Sequence, residues 1–209
     1  MRRPASAAIE DELRAQGYCA VAGVDEVGRG ALCGPVMAAA VILDPGRPIE
    51  GVCDSKMLLP QAREEVYERI VGAALGWCAA AVEADEIDRV NIHRAALTAM
   101  RRAVLGLARP PDYVIVDAFV IPDLPCPQRP IRHGDARCAA IAAASIVAKV
   151  TRDRIMSDLH RTYPGYGLDR HKGYATSEHL AALSRLGLSP IHRRSFRPWT
   201  LPFDDECIV

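Results

Sequence analysis

The segment Tyr113-Val-Ile-Val116 is wholly apolar and lies between the Pro110-Pro111 break and the acid Asp117. A strand without polar alternation has both faces in a core, so helices must cover its sheet on each side, and the chain is constrained to a layered α/β architecture. Residues 19–25 (Cys-Ala-Val-Ala-Gly-Val-Asp) and 35–43 (Pro-Val-Met-Ala-Ala-Ala-Val-Ile-Leu) read as two more strands. The short turn through Gly28-Arg29-Gly30 between them favours an antiparallel pair. Residues 60–73 carry Val66, Tyr67 and Ile70 at helical spacing, 77–82 is again strand-like, and 91–107 makes a second helix. A loop holding Pro122, Pro125, Pro127 and Pro130 leads to Gly134 and Asp135, after which 136–156 reads as a long alanine-rich helix. Residues 157–205 alternate short helical pieces with Gly, Pro and basic residues and hold no strand. The expectation is one domain over residues 1–209, an α/β unit with a mixed sheet flanked by helices, extended by a C-terminal helical region at about 157–205. A chain of 209 residues that is half apolar can bury such a core.

Lys plus Arg equals Asp plus Glu, 26 each, so no global basic field advertises a nucleic-acid partner. Charge is nevertheless sorted along the chain. Between 151 and 200 nine basic residues (Arg152, Arg154, Arg161, Arg170, Lys172, Arg185, Arg193, Arg194, Arg197) face four acids (Asp153, Asp158, Asp169, Glu178). Arg193, Arg194, Phe196, Arg197 and Trp199 place cations beside aromatics, as nucleic-acid surfaces do, although aromatics packed onto a core read equally well. The seven cysteines are scattered with no Cys-x-x-Cys, which suggests neither a zinc site nor a disulfide framework. No apolar run suits a signal peptide or a membrane span, so a cytoplasmic protein with no membrane association is expected.

Asp25 and Glu26 close one apolar strand and Asp117 closes another. A solvated pair at a strand end is the plainer reading of Asp25 and Glu26 alone. Open α/β sheets, however, place ligands at the C-terminal ends of their strands, and two such ends side by side would bring three carboxylates together. Their repulsion calls for cations, and all-oxygen donors suit Mg²⁺ or Mn²⁺ better than zinc. Asp135, just before the long helix, reads as an N-cap, although Cys138 stands where a capping box would have Glu or Gln. Gly23-Val-Asp-Glu-Val-Gly-Arg-Gly30 lacks the Gly-Lys-Ser/Thr of a phosphate loop. Its glycines around Arg29 would instead let backbone approach a ligand closely.

Gly23 to Gly30, Asp54-Ser-Lys56, Val116-Asp117, Gly134-Asp135, Ala143-Ala-Ser-Ile-Val-Ala-Lys-Val-Thr-Arg-Asp153, Tyr163-Pro-Gly-Tyr-Gly-Leu-Asp-Arg-His-Lys-Gly-Tyr174 and His192-Arg-Arg-Ser-Phe196 together resemble bacterial ribonuclease HII, in order and over nearly the whole chain. The resemblance implies a ribonuclease H-like fold with a five-stranded mixed sheet, and four metal-binding catalytic acids, Asp25, Glu26, Asp117 and Asp135. It also implies substrate contacts from Gly28, Arg29 and Gly30, from Tyr174 beside the 2′-hydroxyl, and from Ser55 and Lys56 near the nucleic acid. Three positions depart from the family's usual residues: Val27 where Ala is usual, Ala118 where Gly is common, and His133 where Lys is frequent.

The activity implied is hydrolysis of the RNA strand of RNA/DNA hybrids and cleavage 5′ of single ribonucleotides in duplex DNA, leaving 3′-hydroxyl and 5′-phosphate ends. It would serve ribonucleotide and primer removal. Two ions, Mg²⁺ or Mn²⁺, roughly 4 Å apart would carry the chemistry without a protein nucleophile. His171 and His179, near Tyr174 in sequence, read as surface or capping histidines. Leu201-Pro202-Phe203 suggests a docking peptide for a sliding clamp, and nothing requires more than a monomer. The competing readings are a strand-transferase of the same fold and a non-catalytic nucleic-acid-binding module.

Overall fold

The computed structural model describes residues 5–53, 55 and 58–196. Its elements run α1 (Ala8–Ala15), β1 (Val21–Val27), β2 (Val36–Ile42), α2 (Pro60–Ala73), β3 (Gly76–Val82), α3 (Ala84–Val90), α4 (Ile92–Leu105), β4 (Tyr113–Asp117), β5 (Gln128–Ile131), a single 3₁₀ turn (Gly134–Ala136), α5 (Ala139–Thr162), α6 (Leu168–His171) and α7 (Ser177–Leu186). The five strands form one sheet in the order β3-β2-β1-β4-β5. β1 pairs antiparallel with β2, and β2 with β3, whereas β1–β4 and β4–β5 are parallel. This is the mixed sheet of a ribonuclease H-like fold. Among the described residues no helix is long and apolar enough to cross a membrane.

Burial follows from alternation across the pleat. Ala22 and Val24 of β1, with Val114 and Val116 of β4, pack into a cluster with Ile87 of α3 and Ala96, Ala99 and Met100 of α4. Val21 and Ile115 face the opposite way, onto Ala140 and Ile141 of α5. The alanines of α5 let it lie close to the sheet. A Cβ on Gly23 would fall 2.1 Å from the carbonyl carbon of Ala140, which only glycine avoids.

Several elements differ from the sequence reading. β1 extends to Val27, so Asp25 and Glu26 lie inside the strand rather than at its end. The edge strand β5 contains Pro130; an edge strand tolerates the missing N–H, and four prolines hide a strand only four residues long. The short helices α1 and α3 are additions to the elements expected from sequence. Asp135 is not the N-cap of α5: that place falls to Cys138, which makes no side-chain cap, while Glu10 of α1 accepts the Ala140 N–H at 2.7 Å. A carboxylate there suits the positive end of the helix.

The segment after α5 is tied to the β1–β2 loop. Leu32, Cys33, Met156, Tyr166, Leu168, Ala182 and Leu183 make a separate buried cluster. His179 and His192 lie beside it, fully or almost fully buried, which corrects the reading of His179 as a surface histidine. The Ser189 N–H donates to Nδ1 of His192 at 3.0 Å, so the neutral ring carries its proton on Nε2, facing Nε2 of His179 at 3.2 Å. His179 in turn donates from Nδ1 to the Tyr174 carbonyl at 3.0 Å. The Cys33 sulfur stands 3.9 Å from His179 Nε2, and one donor atom from each of Cys33, His179 and His192 falls within 4.8 Å of the others. With a proton on His192 Nε2, the arrangement is a hydrogen-bonded chain rather than a set of free lone pairs.

Gly23→Ala should lower stability by about 1–3 kcal/mol or more in denaturant titration, because the methyl meets α5 backbone that cannot rotate away; an unchanged midpoint would refute the close approach. Burial lowers the pKa of His179 and, to about 4, that of His192, from an unfolded value near 6.5. The unfolded chain therefore binds more protons between these values, and their contribution to stability is lost as pH falls from about 6.5 toward 4. Glu10, Asp25 and Glu26, whose pKa values burial raises, act in the opposite direction. Melting against pH should accordingly show a shallower acid loss in His192→Gln than in the unaltered protein.

Candidate active site

The parallel pairing of β1 with β4 sets the site. Their last registered pair is Val24 with Val116, and one step beyond come Asp25 and Asp117. Both fall on the face covered by α5. Asp25 is 6% exposed; its Oδ1 accepts the N–H of Glu26 at 2.8 Å, and Ser145 of α5 lies near enough to lower its pKa. Asp117 Oδ1 accepts the N–H of Gly134 at 2.7 Å, which brings the 3₁₀ turn, and with it the buried Asp135, alongside β4.

Electrostatics mark the same place. Burial, the Glu26 charge and the Asp117 charge hold the pKa of Asp25 well above the ordinary carboxylate range, against the effect of Ser145. Burial also raises that of Glu26, while Arg29, 3.4 Å away, and its hydrogen bond oppose the shift. One carboxylate oxygen of Glu26, Oε2, is buried with no hydrogen-bond partner among the described residues. An unsatisfied buried acceptor among mutually repelling carboxylates is a donor set suited to a hard cation.

The chain next to these acids is tightly shaped. Gly28 has φ +90°, and a Cβ there would lie 2.3 Å from Nε of Arg152; Gly30 is exposed and has open space where a side chain would stand. The turn thus explains Gly28, whereas no described residue crowds the place of a side chain at Gly30. The Arg29 guanidinium carbon sits 4.7 Å from the centre of the Phe119 ring. Tyr174 is half-buried, with Arg152 over its ring at 5.6 Å. Ser55 is buried, and its hydroxyl meets that of Ser145 at 2.9 Å, so it reaches the acids through protein. Lys56 lies outside the described residues, as do Arg197, Trp199 and Leu201-Pro202-Phe203.

The unusual residues sit at informative places. Ala118 has φ +59° and His133 φ +54°, both left-handed, where a glycine at 118 would be relaxed and Ala is strained by about 1–2 kcal/mol. Val27 packs at the margin of the α2–α5 cluster.

The basic excess of the C-terminal region is mostly absorbed by the protein itself. Arg154 pairs with Glu64 and Glu68, Arg161 with Asp158 and Arg170 with Glu178. Arg193 lies under Phe196 at 5.0 Å and, like Arg152, is buried. Sequence reading missed both buried arginines and Ser145. The available signal for Arg152 was its place in the i, i+4 stripe Ala148, Arg152, Met156, a charge where the helix face is otherwise buried.

The model of the family described as ribonuclease HII matches residues 22–198. Ribonuclease H2 from Pyrococcus horikoshii OT3 is 28% identical, covers 85% of this chain and 94% of its own, and superposes with a TM-score of 0.72. The RNase HII of the PCNA complex from Archaeoglobus fulgidus, at 24% identity, covers 89% of this chain and 98% of its own, with a TM-score of 0.73. Bst-RNase HIII, solved in complex with Mn²⁺, is 22% identical over 79% of this chain and 61% of its own, with a TM-score of 0.67. The last two show a shared fold. The family match over residues 22–198 makes this protein a ribonuclease H hydrolase acting on RNA/DNA hybrids: the chain belongs to the ribonuclease HII family.

Proposed function

We propose that this protein cuts the RNA strand of hybrids and also the 5′ side of single ribonucleotides in duplex DNA, leaving 3′-hydroxyl and 5′-phosphate ends, with two Mg²⁺ or Mn²⁺ ions held by Asp25, Glu26, Asp117 and Asp135. The observation that carries this is the convergence of the Asp25, Glu26 and Asp117 carboxylates at two adjacent parallel strands, with the buried Oε2 of Glu26 unpartnered among the described residues. Divalent ions held there would supply an activated water and charge neutralisation at phosphorus.

The chain's own residues bind and orient. The four acids hold the ions, and Ser145 steadies Asp25. The turn at Gly28–Gly30 brings backbone up to the sugar and phosphate, since neither glycine interposes a side chain. Arg29, held between Glu26 and Phe119, has a guanidinium available to phosphate. The Tyr174 ring stands as a wall for the ribose, and the 2′-hydroxyl is the group that separates RNA from DNA. Lys56 would add a phosphate contact. Monomeric action suffices, and a clamp contact through Leu201-Pro202-Phe203 would be an accessory to it.

Chelation should abolish cleavage of a duplex bearing one ribonucleotide, and Mg²⁺ or Mn²⁺ should restore it, with a released product whose length names the bond cut; full cleavage in chelator would refute the metal reading. Asp25→Asn should lose about three orders of magnitude or more in turnover, on the scale of losing transition-state charge stabilisation. Its melting temperature in chelator should rise, because a raised folded pKa means that ionisation near neutral pH opposes folding. Retained turnover would exclude Asp25 as a ligand.

Tyr174→Ala should lower cleavage at the lone ribonucleotide by about 10-fold or more, the scale of one lost stacking contact, with no larger loss on long hybrids. A well-folded variant with unchanged single-site cleavage would eliminate Tyr174 as the sensor.

A further inference from the structure

Resting on the reading that Gly28–Gly30 and Tyr174 receive the ribonucleotide, we propose that Arg152 and Arg193 are positioning residues, a buried guanidinium pair that holds these two segments in one fixed relation. Arg152 is fully buried and Arg193 is 1% exposed. Among the described residues neither forms an ion pair with a carboxylate; backbone carbonyls take up their donors. Arg152 donates from Nε to Pro35 at 2.9 Å, from Nη2 to Cys33 at 3.2 Å and from Nη1 to Lys172 at 2.9 Å. Arg193 donates from Nε and Nη2 to Gly34, at 3.1 and 2.9 Å, and from Nη1 to Arg29 at 3.0 Å.

One guanidinium therefore spans both segments. Arg152 grips the end of the β1–β2 loop and the carbonyl two residues before Tyr174, passes directly under Gly28, and covers the Tyr174 ring. Arg193 closes the same loop from the other side, at the carbonyl of Arg29 itself. Backbone bonds complete the stitching: Leu32 N–H to the Gly173 carbonyl at 2.7 Å, Gly34 N–H to Ile191 at 2.9 Å, and Arg193 N–H to Leu32 at 2.9 Å. Burying a cation without a carboxylate is costly, and apolar residues of like volume would stabilise a core more simply. A planar five-donor fork can gather carbonyls from segments far apart in sequence and fix their directions, which a hydrophobe cannot do and lysine's single rotatable ammonium does less rigidly. It is the segments so gathered that make this more than packing: they are the backbone at Arg29 and the ring at Tyr174.

The test pairs a measurement on the unaltered protein with a double-mutant cycle. By hydrogen exchange, the amides of Leu32, Gly34 and Arg193 should be protected to the level of β1, loop residues though they are; exchange at the rate of an ordinary surface loop would overturn the proposal. Arg152→Lys should lower kcat/KM at a lone ribonucleotide by about 100-fold, the size of effect expected from an ångström-scale misplacement, while Mn²⁺ affinity stays at the wild-type value. Because the part of this loss that runs through Tyr174 is already spent once the ring is gone, the same substitution should cost only about 10-fold in a Tyr174→Ala background. Additive losses, or a loss of Mn²⁺ affinity equal to the loss of rate, would overturn it. Should Arg152→Lys not fold, the exchange measurement decides. Wild-type protein that binds Mn²⁺ yet leaves the lone-ribonucleotide duplex uncut would instead refute the site reading, and exchange would still report whether the clamp exists.

Discussion

The contact on which most of this structure depends is the approach of α5 to β1 at Gly23. With no side chain between them, helix backbone and strand backbone meet, and every other feature of the helix is placed by that contact. Ser145 comes to lie against Asp25, and two turns further along Arg152 arrives beneath Gly28. The carboxylate cluster is built from two strands, but its surroundings come from one helix some 36 Å long, taking 1.5 Å per residue over 24 residues.

Two kinds of buried charge flank the β1–β2 connection, and they are handled differently. The carboxylates of Asp25 and Glu26 are crowded by one another and by Asp117, so that burial and repulsion both favour protonation. The guanidinium groups of Arg152 and Arg193 are instead dissolved in carbonyl oxygens, and remain charged although burial lowers the pKa of each. The acids are poised to accept something from outside. The arginines are already satisfied, and their effect is rigidity. A chain with no net charge thus hides a strongly structured field, and counting basic residues along the C-terminal region misjudges it, because two of those counted are core.

Strands whose faces are both buried, or that alternate with helices, were legible: the apolar runs of β1, β2 and β4 admit one reading, and the antiparallel turn followed from its length. The acids at their ends were legible for the same reason, since a carboxylate closing an apolar run stands where an open sheet receives its ligands. What could not be read was whatever depends on tertiary partners. β5 is four residues with a proline, and only its parallel pairing with β4 makes it a strand. Asp135 had the sequence position of a helix cap, but the cap comes from Glu10, distant in the chain. His179 looks like any polar residue of a short helix until His192 and Tyr174 close around it.

The Glu10 contact carries an implication for the order in which the molecule can assemble. Ser6 bridges to Cys138, and Glu10 receives the first free amide of α5, so α1 and the residue before it are anchored by residues about 130 positions later. The parallel β1–β4 pair closes a loop too, with partners 92 residues apart, as Val21 and Tyr113 are. Contacts of such sequence separation form late and slowly, because the loop must close before the bonds reward it. During synthesis the first helix therefore has no permanent berth until α5 has emerged, and β1, the strand that bears the two acids, waits with one edge open for β4.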